Sequence, residues 1–158
     1  MASRLRVGVI SDTHGLVRPE AIEALRSADV IVHAGDVGGP HLLRELGDLA
    51  PVIAVRGNVD TEPWAKALPD RRRLELSGAK VLLLHDRAMV GASPAAEGVD
   101  VVVFGHSHEP LTDRQGGVLW FNPGSAGPKR FSLPVSLGFL AIEDGRVRHR
   151  HLFVDPPP

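Results

Sequence analysis

Seven side chains with metal-seeking atoms fall in a fixed order along this chain. Asp12-Thr13-His14 comes first, then Gly35-Asp36, Gly57-Asn58, His85 and Gly105-His106-Ser107-His108. They offer two carboxylates, one amide oxygen and four imidazoles, a mixture of O and N donors that suits divalent first-row metals. Two such ions held about 3.5–4 Å apart make a centre for hydrolysing phosphate esters. Their charges repel, so an anion must lie between them, and Asp36 is the best candidate for that bridge. A water or hydroxide is the second bridge, its pKa lowered toward neutrality, and it attacks phosphorus while the metals neutralise the phosphate oxygens. Alone, each motif reads equally well as loop punctuation; it is the ordered set that points to metal.

Each motif follows a short apolar run. Leu5 to Ile10, Asp29 to His33 and Pro51 to Val55 read as strands, with helices over Arg18 to Ala28 and onward from Pro40 through Leu42, Leu43 and Leu46. Pro19 suits the first turn of its helix. This β-α-β-α-β alternation predicts a parallel sheet with crossover helices. The second half is strand-rich: Arg72 to Leu76, Lys80 to Leu84, Val99 to Phe104, Val118 to Phe121, Ser136 to Ile142 and Arg146 to Phe153. Turns at Gly116-Gly117 and Asp144-Gly145 separate several of these runs. Helical pattern recurs only over Pro63 to Leu68 and Pro94 to Glu97. The fold class is α/β, with two packed sheets and helices outside. Residues 1–154 read as one domain and 155–158 as a frayed tail. Asp12, Asp36, Asn58, His85 and His106 all stand at predicted strand ends, where ligands collect in α/β sheets.

Composition narrows the chemistry. The chain has 158 residues, enough for a substantial core, and a formal net charge of -1; it carries no strong nucleic-acid-binding signal. No apolar run is long enough to span a membrane, so the expected location is cytoplasmic. There is no Cys and no Tyr, which excludes thiolate ligation, disulfides and a tyrosinate-bound ferric centre. No Gly-x-Ser-x-Gly elbow marks a serine nucleophile.

The ordered set resembles the calcineurin-like metallophosphoesterase superfamily, in particular its small single-domain bacterial and archaeal phosphodiesterase branch. Asn122-Pro123-Gly124-Ser125, Lys129-Arg130 and Leu133-Pro134 resemble that branch's closing signature, and the likeness runs from about Val7 to Leu140. It implies a four-layer α-β-β-α sandwich of two mixed β-sheets flanked by helices. It also implies two divalent ions per chain. Asp12, His14, Asp36 and His108 would hold one, and Asp36, Asn58, His85 and His106 the other. Manganese is the expected metal, with Fe, Co, Ni and Zn compatible. Asp36, Asn58 and His106 are the candidate catalytic residues, and the expected activity is hydrolysis of small phosphodiesters. The alternatives are a phosphomonoesterase using the same centre and a non-catalytic scaffold, since the branch is related to a scaffold subunit of a eukaryotic sorting complex. A homo-oligomer stays open.

Two departures from the family pattern matter. Many members carry Gly-Asn-His-Glu, whose His protonates the leaving group, and an Asp that orients it. Here the first reads Gly57-Asn58-Val59-Asp60, and Gly39 stands at the Asp position. The motif often written His-Gly-His reads His85-Asp86-Arg87. Arg56 and Arg87, beside ligand positions, are candidates for contacting the substrate phosphate. His33 reads either as an orienting group behind the ligands or as a packed strand-end histidine. His149-Arg150-His151 and His41 read as surface, and Arg71-Arg72-Arg73 as a solvated strand edge. Gly124 and Ser125 read as shaping a tight backbone.

Overall fold

The computed structural model describes residues 4–155 except 92 and 131. Ten strands form two five-stranded mixed sheets. The first holds β1 (Leu5–Ile10), β2 (Val30–His33), β3 (Val52–Ala54), β9 (Val135–Glu143) and β10 (Arg146–Asp155), in the order β10-β9-β1-β2-β3. The second holds β4 (Arg71–Leu76), β5 (Ala79–Leu84), β6 (Val101–Val103), β7 (Leu111–Gln115) and β8 (Val118–Asn122), in the order β4-β5-β6-β8-β7. β1, β2 and β3 run parallel, as do β5, β6 and β8. Parallel neighbours bring the carboxyl ends of these strands to one edge of the sandwich, which is where the candidate ligands follow.

The β-branched runs explain the layers. Val7, Val9 and Val32 of the first sheet meet Leu83, Val101, Val103 and Phe121 of the second in a buried inter-sheet core. Outside the first sheet, α1 (Pro19–Leu25) and α2 (Pro40–Gly47) bury Leu25, Leu42 and Leu46 against Ile31 and Leu137. Outside the second sheet, Leu82, Leu84, Val102 and Phe104 are covered by Val90 and Val99. That fourth layer is thin: a 3-10 turn, Arg87–Met89, and the turns that follow it. The four-layer sandwich is therefore present with its two α-helices on one side.

Several elements differ from expectation. The first helix stops at Leu25, where a 3-10 turn takes over, Ala28 N donating to Leu25 O at 3.0 Å. Pro63–Ala67 is a 3-10 helix, and Pro94 to Glu97 forms only turns. β7 has no counterpart in the sequence pattern, because Leu-Thr-Asp-Arg-Gln is polar and lies at a sheet edge. β10 extends through Asp155, paired with Val135, so the strand takes the first residue of the expected tail; residues 156–158 lie outside those described. Three two-residue hairpins close at Ser77-Gly78, Gly116-Gly117 and Asp144-Gly145, every one of these residues having positive φ, as a type I′ turn needs. Among the described residues, no helix is long and apolar enough to cross a membrane.

At Gly138 on β9 an added Cβ would lie 2.5 Å from Phe121 Cζ, in the inter-sheet core. Overpacking of this kind costs about 1–3 kcal/mol. Gly138→Ala should therefore lower the unfolding free energy by about that much, read from a denaturant melt.

Candidate metal centre

Loops at the carboxyl ends of the strands continue the strand pairing. Asp12 N donates to Gly35 O (3.0 Å), His14 N to Asp36 O (3.0 Å) and Gly105 N to His85 O (2.9 Å). This stitching brings all seven predicted donors together. Asp36 Oδ2 lies 3.3 Å from His85 Nε2 and 3.8 Å from His14 Nε2. Asp12 Oδ1 lies 3.3 Å from His108 Nε2 and 3.9 Å from His85 Nε2. Asn58 Oδ1 stands 3.0 Å from His85 Nε2 and 3.2 Å from His106 Nδ1. His14 and His108 face each other through their Nε2 atoms at 3.3 Å. Two sets meet a compact metal-holding geometry, Asp12-His14-His108 and Asp12-Asp36-His85.

The backbone is forced into place. Asp12, His14, Asp36, His106 and His108 all have positive φ, between 47° and 74°. Side-chain-bearing residues rarely adopt that conformation, and it clusters at functional sites where the surroundings over-determine it. Two glycines make the room. A Cβ on Gly57 would sit 2.1 Å from Asp36 Oδ1, and one on Gly105 2.1 Å from Ser11 Oγ and 2.6 Å from Asp12 Oδ2.

Proton positions follow from the partners. His85 Nδ1 faces Ala34 O at 2.8 Å; a carbonyl only accepts, so Nδ1 carries the hydrogen and donates it. Its Nε2 is thereby turned toward Asp36 Oδ2 and Asn58 Oδ1. Such an outer hydrogen bond is the usual way a protein fixes a metal-binding imidazole. Asp12 Oδ2 accepts from Ser11 Oγ (2.7 Å) and His106 N (3.1 Å), whereas buried Asp12 Oδ1 has no hydrogen-bond partner.

Burial pushes the Asp12 and Asp36 carboxyls up, but the surrounding imidazoles and hydroxyl or amide donors outweigh it and hold both below the usual carboxylate value. Burial alone would lower His85, yet the Asp36 and Asp12 carboxylates raise it. His14 is lowered by burial, with Arg130 adding to the effect and the two carboxylates opposing it.

Other predicted residues divide. Arg56 lines an open cavity of about 870 Å³ beside Asn58, His85 and His106, with its guanidinium tied to Asp70 at 2.8 Å. Arg87 turns onto the second sheet's outer face, over the rings of Phe104 (5.4 Å) and Trp120 (5.5 Å). Its neighbour Asp86 caps the 3-10 turn through Ala88 N and holds Oδ2 3.8 Å from His106 Nε2. Arg71 donates to Met89 O and Val90 O and Arg73 to Glu97, so these arginines tie down the covering loop. His41 is exposed and held to Gly15 O. His149 and His151 lie against the Phe121 ring, and His151 Nε2 donates to Asn122 O at 2.6 Å. Ser125 Oγ donates to Asp12 O.

Two buried residues brace the ligand loops from behind: Asp60, which sequence patterning does not single out, and His33, for which it leaves an orienting role open. Buried Asp60 accepts from Val37 N, Gly38 N and Gly57 N at 2.9–3.0 Å, clamping the Asp36 loop to the Asn58 loop. The only signal for it was its place in Gly57-Asn58-Val59-Asp60. His33 is fully buried and orders a directional chain: Gly35 N donates to its Nδ1 (3.0 Å), so its Nε2–H donates to Thr13 Oγ1 (2.9 Å), which donates to Val37 O (2.9 Å). It holds two ligand loops in register from behind.

Residues 5–145 match the calcineurin-like phosphoesterase superfamily domain. The chain belongs to that superfamily. It is 35% identical over 157 residues to a probable metallophosphoesterase of Methanocaldococcus jannaschii, covering 91% of this chain and 79% of the relative. Among solved structures it resembles a novel archaeal phosphodiesterase, with a TM-score of 0.77, 26% identity and coverage of 94% and 100% of the two chains. It shares its fold with vacuolar protein sorting 29 of Cryptosporidium parvum, at a TM-score of 0.76, 17% identity and coverage of 97% and 99%.

Burial lowers His33 from 6.5 to about 4. The unfolded chain takes up a proton near pH 6.5 that the folded chain refuses until about pH 4. Above 6.5 the residue adds no pH dependence; between 6.5 and 4 it removes up to about 1.4 kcal/mol per pH unit. His33→Asn should be less stable than the parent at pH 7.5 but should lose less stability on acidification across that window, read from denaturant melts in chelator.

Proposed function

We propose that the protein is a metal-dependent phosphodiesterase acting on small phosphodiesters through a two-metal centre. Asp12, His14, Asp36 and His108 would hold one ion, and Asp36, Asn58, His85 and His106 the other. The observation that carries this reading is the convergence of metal-seeking atoms: Asp12 Oδ1, Asp36 Oδ2, Asn58 Oδ1 and His85 Nε2 crowd together, and Asp12 Oδ1 is buried without a partner. An unsatisfied buried carboxylate oxygen is expensive, and a cation is what such a set accommodates. When bound, divalent ions supply Lewis acidity toward phosphate oxygens and activate water at neutral pH. Mixed O and N donors support Mn, with Fe, Co, Ni and Zn also compatible.

The chain's own residues set the rest. His85 is fixed by Ala34 O, and Asp12 is aimed by Ser11 and the His106 amide. The cavity next to Asn58 and His106 combines an apolar wall of Leu84, Met89 and Val90 with the polar edge of Arg56, Asp70 and Asp86. It has room for one esterified group of a diester, with the phosphate at the donor cluster. Arg56 remains the better of the two candidate phosphate contacts, since Arg87 is committed to Phe104 and Trp120.

Metal-replete protein should hydrolyse bis(p-nitrophenyl) phosphate, lose that activity in chelator and regain it with Mn. No turnover of any activated diester by metal-replete protein would favour a scaffold role instead; preferential turnover of monoesters would favour a phosphomonoesterase.

Asp36→Asn should be more damaging than Asn58→Ala, because Asp36 Oδ2 faces histidines of both proposed sites while Asn58 faces one. Elemental analysis should find fewer than two ions per chain in Asp36→Asn. Two retained ions with near-parental turnover would refute the bridging role.

Val59 and Gly39 occupy the places of a proton-donating His and its partner. General acid catalysis is typically worth about 10²–10⁴-fold, so rates should fall steeply as leaving-group pKa rises. A flat series would show that another acid, or a step other than bond cleavage, controls turnover.

A further inference from the structure

The outer face of the first sheet concentrates arginine. On β10, Arg146, Arg148 and Arg150 share one side, because successive strand residues alternate. Val147 of the same strand packs between the sheets while Leu152 packs under the helices, so the arginine side faces outward. Arg4 and Arg6 face the same way at the start of β1. Register lines them up across β9: Arg148 and Arg6 both pair with Ala141, Arg150 pairs with Phe139, and Arg146 pairs with Glu143. Glu143 also takes an ion pair from Arg4 at 3.8 Å. Two columns of guanidinium thus flank a floor of Glu143, Ala141 and Phe139. Strand spacing puts the columns about 9.6 Å apart. Two adjoining cavities of about 320 and 300 Å³ run along this trough and share Arg4, Ala141 and Arg148. Arg6 and Arg150 cover the Phe139 ring at 4.7 and 5.0 Å. Leu25 of α1 closes the far end over Gly8.

Charges on an edge strand discourage unwanted pairing, and that explains part of β10. It does not explain Arg6, on the third strand in, or Arg4 just before it. Nor does it explain five guanidiniums against three carboxylates, Glu143, Asp144 and Asp29, the last accepting from the Arg6 amide at 2.8 Å, in a chain whose net charge is -1. Buried Arg6 Nε has no hydrogen-bond partner. Rows of like charge repel, and a bound polyanion relieves that repulsion.

We propose that this trough binds the backbone of a short single-stranded oligonucleotide. The guanidinium fork matches phosphate and also stacks on flat bases. Arg6 and Arg150 already lie flat on the buried Phe139 ring, so their outer faces, with Ala141 between the columns, offer stacking surfaces beside the guanidinium forks, which suits a ligand with anionic groups along its length and flat groups between. A bare polyphosphate chain would use the forks and leave these flat faces unused. The trough is on the sheet's outer face, away from the donor cluster, so the proposal stands independently of hydrolysis.

The test is fluorescence anisotropy of the full chain, in chelator, with a labelled oligothymidylate of about ten nucleotides. Binding should weaken with salt, with a log–log slope of about -2 to -3 for three or four phosphate contacts. Arg148→Glu combined with Arg150→Glu should weaken binding at least about tenfold and flatten the slope, while turnover of bis(p-nitrophenyl) phosphate by the metal-loaded variant stays unchanged. Should the double variant not fold by circular dichroism, Arg148→Gln alone should reduce the slope by about 0.7. Absence of binding at low salt overturns the proposal. So does binding that survives these changes but is lost in Asp36→Asn, which would place the oligonucleotide at the donor cluster. Equal affinity for inorganic polyphosphate or polyglutamate also overturns it, because the trough would then read charge alone.

Discussion

Carboxylate, amide and imidazole atoms crowded against one another, with one buried carboxylate oxygen left without a partner, are the constraint around which this fold is arranged. A buried carboxylate oxygen left unpartnered, as Asp12 Oδ1 is, is tolerated only where the rest of the structure holds it. Here that hold is covalently remote. Asp12 follows β1, Asp36 follows β2, Asn58 follows β3, His85 follows β5 and His106 follows β6. The arrangement works because both sheets present the carboxyl ends of parallel strands at one edge and the inter-sheet core locks their offset. A single sheet could assemble three of these loops; the packing of Val7, Val9 and Val32 on Leu83, Val101 and Val103 brings in the other two.

The cost of this arrangement is backbone strain. A side-chain-bearing residue in the left-handed region is disfavoured by about 1–2 kcal/mol, and five of the seven candidate ligands are there. The compensation lies in a shell of hydrogen bonds behind the ligands. Asp60 gathers three backbone amides from two loops. His33 and Thr13 join the Asp12 loop to the Asp36 loop, and Ser125 reaches the Asp12 carbonyl from after β8. These groups never face substrate, yet the donor geometry depends on them.

Much of this was legible in the sequence. The strand-end placement of Asp12, Asp36, Asn58, His85 and His106 follows from β-branched runs that stop at Gly or Asp. The hairpins at Gly116-Gly117 and Asp144-Gly145 follow from residues that tolerate positive φ. β7 was not legible, because an edge strand with a polar face has no apolar alternation to show. The extent of the first helix was not either, since Arg26 and Ser27 carry no stop signal and a 3-10 turn replaces the last α turn. Asp60 escaped for a different reason, since its work is done by partners distant in sequence, and for His33 the choice between an orienting group and a packed histidine needed the same distant partners. Arg87 illustrates the converse, a cation next to a ligand in sequence whose side chain leaves the site for an aromatic pair.

His85-Asp86-Arg87 shows how local replacements can preserve a site while changing its margin. With Gly and His gone, the turn needs a new anchor at each end. Asp86 Oδ1 caps the turn, and Arg87 lies across Phe104 and Trp120. The cap leaves Asp86 Oδ2 3.8 Å from His106 Nε2, while His106 Nδ1 faces Asn58 and His85. His108 has no equivalent, because its Nδ1 is buried without a partner. The two histidines of one short motif are therefore held differently: His106 is exposed beside the Asp86 carboxylate, and His108 is buried with its Nε2 3.3 Å from both Asp12 Oδ1 and His14 Nε2. That asymmetry puts the adaptable side of the donor cluster beside the open cavity and the fixed side against the core.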